Sequence, residues 1–86
     1  MMAIDMALRS YLAAFESMRA SFTRRRLLWW MRLHNLPTRD IPANSSFADY
    51  LMSVKVITDA RGRCWLLKRV DSCSNHHYRF TYVLRF

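Results

Sequence analysis

The N-terminal third of the chain carries an apolar pattern of helical period. Its apolar residues recur at spacings of four and three, as Ile4, Leu8, Tyr11, Phe15, Met18 and Phe22. This spacing places them on one side of an α-helix and leaves polar residues on the other side. The next position of the series is Arg25, so we predict that the first helix spans about residues 3–21 and ends before Thr23.

The densest apolar run, residues 27–31, follows three consecutive arginines. Thr23 suits the N-cap of a second helix, and Pro37 requires that helix to end because proline disfavours helical backbone in the residue before it. Asn35 suits a left-handed terminator. We therefore predict a second helix over about residues 23–35, although the pattern also permits one continuous helix from the N-terminus.

A connector with two prolines separates this run from a short third helix. Ser46 and Asp49 have the spacing of a capping box, in which each side chain bonds to the backbone near the other. Four apolar residues occupy helical spacing in the same segment: Phe47, Tyr50, Leu51 and Val54. These features predict a helix over about residues 46–53.

The remainder of the chain has the composition and alternation of β-strands. Strands are predicted over about residues 54–58, 63–70 and 76–86, with turns at Asp59–Gly62 and Asp71–Asn75. The last strand alternates most regularly, with apolar residues at the even positions from Tyr78 to Phe86. That alternation predicts a half-buried strand whose other face is basic.

Together these elements predict one α+β domain spanning residues 1–86. Two or three N-terminal helices pack on a C-terminal three-stranded antiparallel β-meander, with Leu27, Leu28 and Met31 at the centre of the core. A short helix followed by a hairpin with Arg61 and Arg63 at its tip resembles the layout of winged-helix domains. The resemblance concerns layout alone, and it implies that these two arginines contact phosphates or a minor groove.

The charge of the chain changes the expectation about partners. Its formal net charge is +8, from 14 basic and 6 acidic residues, and all but two of the basic residues are arginine. Arginine favours planar contacts with phosphates, carboxylates and bases, although a solvated basic face is an equally ordinary use of it. The predicted nucleic-acid contacts are Arg24, Arg25, Arg26, Lys55, Arg61 and Arg63.

Adjacent tryptophans predict a second kind of contact. Trp29 and Trp30 cannot both point into one small core from the same helix face, so one of them is expected to be exposed. Tryptophan and arginine are enriched at protein interfaces, which makes Trp29, Trp30 and Arg32 a candidate partner surface. The alternative function is therefore a regulatory or inhibitory protein–protein contact, including a homodimer.

Candidate chemistry is sparse. Cys64, Cys73, His76 and His77 lie near one another in the sequence, but they lack the paired ligand spacing of a structural zinc site. Packing of the two cysteines, or a disulfide between them, explains them without a metal. The two histidines beside Tyr78 and Arg79 suit a small metal-independent ribonuclease toxin, which is the third alternative. No metal, cofactor or catalytic residue is predicted.

The N-terminus lacks the features of a signal peptide, and no window is apolar enough to span a bilayer. We therefore expect a cytoplasmic protein. The sequence favours a small, basic, non-enzymatic regulator that binds nucleic acid, of the size and charge common among phages and mobile elements.

Overall fold

The computed structural model describes residues 2–74 and 77–85. Along the chain the elements are α1 (Ala3–Ala13), β1 (Arg19–Thr23), α2 (Arg24–Leu33), α3 (Asn44–Val54), β2 (Val56–Thr58), β3 (Cys64–Ser74) and β4 (His77–Leu84). The α+β class is confirmed, but the described chain forms a four-stranded sheet, and a strand stands between the first two helices. Among the described helices, none is long and apolar enough to cross a membrane.

The strand β1 replaces the predicted second half of the first helix. Ala20 and Phe22 are buried, while Arg19 and Ser21 are exposed, so this segment has the period of two that a strand requires. Phe22 fits the helical series because it lies four residues after Met18. Met18 itself is exposed, so it does not belong to a buried helical face. Pairing with β4 decides between the two patterns, and it covers an edge that a three-stranded meander would leave open.

The sheet is antiparallel throughout, in the order β1-β4-β3-β2. One face carries the buried aromatic side chains, among which Trp65, Phe80 and Tyr82 are at most 1% exposed. The opposite face carries a row of paired residues that crosses the sheet: Arg19, Val83, Leu66 and Val56. The predicted alternation of the last strand is confirmed only in part. Phe80 and Tyr82 are buried and Arg79 is exposed, but Thr81, which was predicted on the outer face, is only 2% exposed, and His76 and Phe86 lie outside the described residues.

The second helix begins and ends as the sequence predicted. The Thr23 hydroxyl accepts a hydrogen bond from the Arg26 backbone N–H at 3.2 Å, which confirms the N-cap. At the other end Asn35 has a φ of 57°. The Leu36 N–H donates to the Met31 carbonyl, which is the bond that closes a helix in the Schellman manner. Because β1 lies between them, α1 and α2 are separate helices.

The core predicted for α2 is largely present. Leu27 and Met31 are buried, and Leu28 and Trp30 are half-buried against the same cluster. Trp29 is 48% exposed, so the expected division between the two tryptophans is confirmed.

The third helix differs from its prediction at the N-terminus. It begins at Asn44, with Ala43 in the N-cap position, so the expected capping box of Ser46 and Asp49 is not the cap. Near its middle, the Tyr50 hydroxyl donates to the Asp5 carboxylate and ties α3 to α1. That hydrogen bond raises the pKa of Tyr50 to about 12.

The two predicted turns of the β region have different outcomes. Gly62 has a φ of 82°, and its N–H donates to the Asp59 carbonyl at 3.0 Å, which confirms the first turn. The second predicted turn began at Asp71, but β3 continues to Ser74 and pairs with β4 through this segment. Register irregularities lie between Leu67 and Arg69 and again near Ser74, and they let the long strand bend.

Candidate functional site

Arg63 belongs to a buried polar cluster, which we call the Asp59 cluster and which consists of Asp59, Arg63 and Trp65. The Asp59 side chain is fully buried, and its carboxylate accepts 2.9 Å hydrogen bonds from the Arg63 guanidinium and from the Trp65 indole N–H. Burial alone would raise the pKa of Asp59. The hydrogen bonds from Trp65 and Arg63, together with the Arg61 backbone N–H, outweigh burial and leave the pKa lowered.

The guanidinium of Arg63 also closes the C-terminal end of α1. One of its nitrogens donates to the carbonyl oxygens of Leu12, Ala13 and Phe15 at 3.2, 3.4 and 2.9 Å. A cation at this end of a helix is favourable because the helix dipole is negative there. The side chain is only 22% exposed, so the predicted phosphate contact of Arg63 has little surface available to it.

Arg24 also has partners inside the fold. Its Nε donates to the Pro42 carbonyl at 2.6 Å, and another guanidinium nitrogen donates to the Ile41 carbonyl at 3.3 Å. Burial lowers the pKa of Arg24, and the nearby charge of Arg32 acts in the same direction. Arg24 thus holds the connector that leads into α3, and it fixes the N-termini of α2 and α3 relative to each other.

The structure does not bring the six predicted nucleic-acid contacts together. Lys55 follows the C-terminal end of α3, and an 11-residue helix separates it by about 16 Å from the end that begins at Asn44. Arg61 is exposed in the β2–β3 turn, at the opposite end of the sheet from the first residues of β4. Only Arg24, Arg25 and Arg26 remain as one group.

Two of these arginines, Arg24 and Arg25, border a cavity of about 340 Å³, which we call the basic cleft. It lies between the N-terminus of α2, the N-terminus of α3 and the beginning of β4. Its lining residues are Thr23, Arg24, Arg25, Asn44, Phe47, His77, Tyr78, Arg79 and Phe80. No carboxylate is among these described residues, although Asp71 stands opposite Arg79 in the sheet and binds Arg69.

Sheet pairing explains why the cleft is open. The last position of β1 that pairs with β4 is Thr23, opposite Arg79. At that point the chain turns into α2, so His77 and Tyr78 extend beyond the end of β1. The cleft occupies the corner that this leaves, and the edge-to-face contact of Phe47 and Phe80, with ring centroids 5.4 Å apart, packs α3 against β4 beside it.

Two helix N-termini add to the positive character of the cleft. The first residues of a helix carry backbone N–H groups without intrahelical partners, and the dipole is positive there. In α3 the N-cap residue Ala43 offers no capping side chain. In α2, Arg25 and Arg26 occupy the first turn, where cations are unfavourable for the helix itself. An anion in the basic cleft would accept hydrogen bonds from the N–H groups at the N-terminus of α3. It would also offset the unfavourable positive charge of Arg25 and Arg26 at the N-terminus of α2.

A second concave surface lies farther along α2. We call it the aromatic pocket; its volume is about 420 Å³, and it is lined by Tyr11, Ala14, Phe15, Ser21, Arg26, Trp29 and Trp30. The Arg26 guanidinium lies over the Trp29 ring, 4.4 Å from its centroid. Tyr11 and Trp30 contact edge to face at 5.3 Å. Of the predicted partner surface, Trp29 and Arg32 are exposed, while Trp30 packs on the core.

The cysteines and histidines do not form a centre in the described part of the chain. Cys64 is a half-buried free thiol, and the Cys73 side chain and His76 lie outside what the structure describes. Among the described residues, no three His, Cys, Asp or Glu side chains are close enough to hold a metal. His77 instead lines the basic cleft.

Sequence reasoning did not place Asn44, His77 and Arg79 in the same site as Arg25. The sequence groups the two histidines with Arg79, but the proximity of His77 and Arg79 to the arginine triplet depends on the pairing of β1 with β4. A first helix over about residues 3–21 excludes that pairing. The alternation of polar and apolar residues from Arg19 to Phe22, which has the period of a strand, was the feature of the sequence that indicated β1.

Comparison with protein-family models, with curated proteins and with solved structures finds no match to this chain.

Proposed function

We propose that this protein is a small cytoplasmic regulator that binds nucleic acid through the basic cleft and catalyses no reaction. The observation that carries the proposal is the convergence of Arg25, Arg79 and His77 with two helix N-termini around one cavity. Phosphate oxygens are ligands of arginine side chains and of backbone N–H groups at helix N-termini. The net charge of +8 supplies the long-range attraction that brings a polyanion to such a site.

The order of the elements supports the same assignment. A helix, a strand, two helices and then three strands, the last of which pairs with the first strand of the chain, resemble a winged-helix domain. In that comparison α3 takes the place of the recognition helix, and the β3–β4 hairpin, not the β2–β3 turn, takes the place of the wing. The basic cleft then lies between α3 and the wing.

The first turns of α3 favour contact with the nucleic-acid backbone over reading of base edges. Their polar residues are Asn44, Ser45, Ser46 and Asp49, and Asp49 is exposed. A helix that reads bases commonly presents several arginine, asparagine or glutamine side chains along its exposed face, whereas these turns have only Asn44, which is half-buried. We therefore expect binding with weak sequence preference and strong dependence on salt.

Binding of labelled oligonucleotides, measured by fluorescence anisotropy across 50–200 mM salt, tests the proposal. In the variant Arg25→Ala with Arg79→Ala, we expect affinity to fall at least about tenfold on every sequence. The slope of log affinity against log salt should become shallower by the amount that corresponds to the loss of about two phosphate contacts. Recovery of intact RNA after incubation tests the absence of nuclease activity.

Arg61→Ala is the matched control. Arg61 is equally charged and exposed, but it lies roughly 20 Å away, at the other end of the sheet. If Arg61→Ala weakens binding as much as the cleft variant does, or if the cleft variant binds normally, the basic cleft is not the binding site.

A protein-binding function is the second candidate, favoured by one face of α2. Trp29 and Leu33 are one helical turn apart, and they are 48% and 60% exposed, with Arg32 beside them. Capture of a protein partner that is insensitive to salt and is lost on Trp29→Ala or Leu33→Ala would support this function.

A further inference from the structure

We propose that the aromatic pocket receives an unpaired nucleobase next to a phosphate held in the basic cleft, so that the protein prefers single-stranded to duplex nucleic acid. This inference rests on the proposed function and names its substrate class. It depends on the continuity of the two sites, on their chemistry and on the spacing of residues along α2.

The two sites are continuous along the surface. A third depression, of about 260 Å³, is lined by Thr23, Arg25, Arg26 and Trp29. It shares Thr23 and Arg25 with the basic cleft, and Arg26 and Trp29 with the aromatic pocket. The surface of the first two turns of α2 therefore forms one track that is cationic at one end and aromatic at the other.

The chemistry of this track matches a nucleotide. Proteins that bind single strands combine a positively charged groove for the backbone with aromatic side chains on which bases stack. Trp29 is 48% exposed, and Arg26 lies against its ring, where a guanidinium can also stack on a base or contact a phosphate. A cationic ligand for the aromatic pocket is disfavoured because Arg26 already carries a positive charge there.

The spacing along the helix fits one nucleotide step. Arg25 and Trp29 are four residues apart, so they lie on the same side of α2, about 6 Å apart along its axis. A phosphate at Arg25 and the base of the same or the next nucleotide at Trp29 are therefore neighbours. In a duplex that base is stacked and paired, and moving it into the pocket costs unstacking and unpairing energy.

The test compares oligonucleotides of equal length and charge. Anisotropy is measured on a single-stranded thymidine oligomer, on its ribose equivalent, on a duplex, and on a single strand in which the bases are replaced by abasic sites. We expect the oligomers with bases to bind at least about fivefold more tightly than the abasic strand. Binding should also quench tryptophan fluorescence.

Trp29→Ala should remove most of the difference in affinity between the strands with bases and the abasic strand. Trp29→Phe keeps an aromatic face and should retain most of the preference. Leu33→Ala, which removes an exposed apolar side chain one turn farther along α2, should leave the preference intact. Circular dichroism of each variant establishes that it is folded.

The outcomes separate this inference from the proposed function. Equal affinity for abasic and normal strands, tighter binding to duplex, or an unchanged preference in Trp29→Ala would overturn the inference. If Arg25→Ala with Arg79→Ala still weakens binding in that case, the proposed function stands without it. A preference for single strands in either the deoxyribose or the ribose series supports the inference, and the difference between the two reports on the 2′-hydroxyl.

Discussion

The Asp59 cluster and the basic cleft lie at opposite ends of the sheet, and each uses arginine for a different purpose. In the Asp59 cluster, Arg63 bonds to a buried carboxylate and to the last carbonyl oxygens of α1. In the basic cleft, Arg25 lies on a cavity whose described lining contains no carboxylate, at a helix end that repels cations. The first arginine has its partners within the fold, whereas the second faces the solvent.

The difference shows that the number of arginines in a sequence does not measure a binding surface. Arg61 and Arg63 look equivalent in the sequence, yet only Arg63 follows Asp59 by four residues and reaches its carboxylate. The useful criterion is whether a carboxylate or backbone carbonyl oxygens lie within reach of the guanidinium, as they do for Arg63 and Arg24. By that criterion the Asp59 cluster contributes stability, whereas Arg25 in the basic cleft costs some stability because it lies in the first turn of α2.

The largest effect that this comparison predicts is the loss of Asp59. In Asp59→Ala, the guanidinium of Arg63 and the indole N–H of Trp65 lose their common acceptor inside the fold. We expect the free energy of unfolding, measured by urea denaturation, to fall by about 3–5 kcal/mol. Asp40→Ala, which removes an exposed carboxylate from the connector, should change it by less than about 0.5 kcal/mol. Similar losses in the two variants would contradict a central role for Asp59.

The second prediction concerns acid. The pKa of Asp59 is lowered in the folded protein from an ordinary value of 3.8, so the folded state binds this proton less readily than the unfolded state. The associated stability is therefore fully present above about pH 4 and is lost as pH falls through the lowered pKa. Urea denaturation between pH 6 and 2 should show this loss in the parent and a weaker one in Asp59→Asn. Parallel curves for the two proteins would exclude Asp59 as the group responsible.

The smallest predicted change in stability concerns Arg25 in the basic cleft. Arg25→Glu replaces a cation with an anion in the first turn of α2, where the helix dipole favours negative charge. We expect the free energy of unfolding to rise by about 0.3–1 kcal/mol while affinity for nucleic acid falls. Arg39→Glu, in the connector, makes the same charge change away from a helix end and should not stabilise the protein. A loss of stability in Arg25→Glu would place Arg25 with Arg63 as a structural residue.

Local features of the fold could be predicted from the sequence. The cap at Thr23, the terminator at Asn35 and the turn at Gly62 each depend on a few neighbouring residues. Backbone conformation and side-chain chemistry determine such features directly.

The features that were missed depend on residues far apart in the chain. Phe22 fits a helix by its spacing and a strand by its neighbours, and only the pairing opposite Phe80 decides between them. The role of Arg63 depends on the carbonyl oxygens of α1, about fifty residues earlier. The basic cleft depends on the same pairing, since β1 is what brings the arginine triplet beside His77 and Arg79.

The position of β1 has a consequence for how the protein folds during synthesis. Arg19 lies opposite Val83, so the chain from α2 to β3 forms an intervening segment that must be made before the two strands can meet. Long-range pairing of this kind is slow because the entropy of closing the loop is lost before the contacts form. The helices can form early from local contacts, but Phe22 and Leu27 stay accessible until β4 has left the ribosome. The nascent chain is then most prone to aggregation, and β4 is the element that ends this exposure.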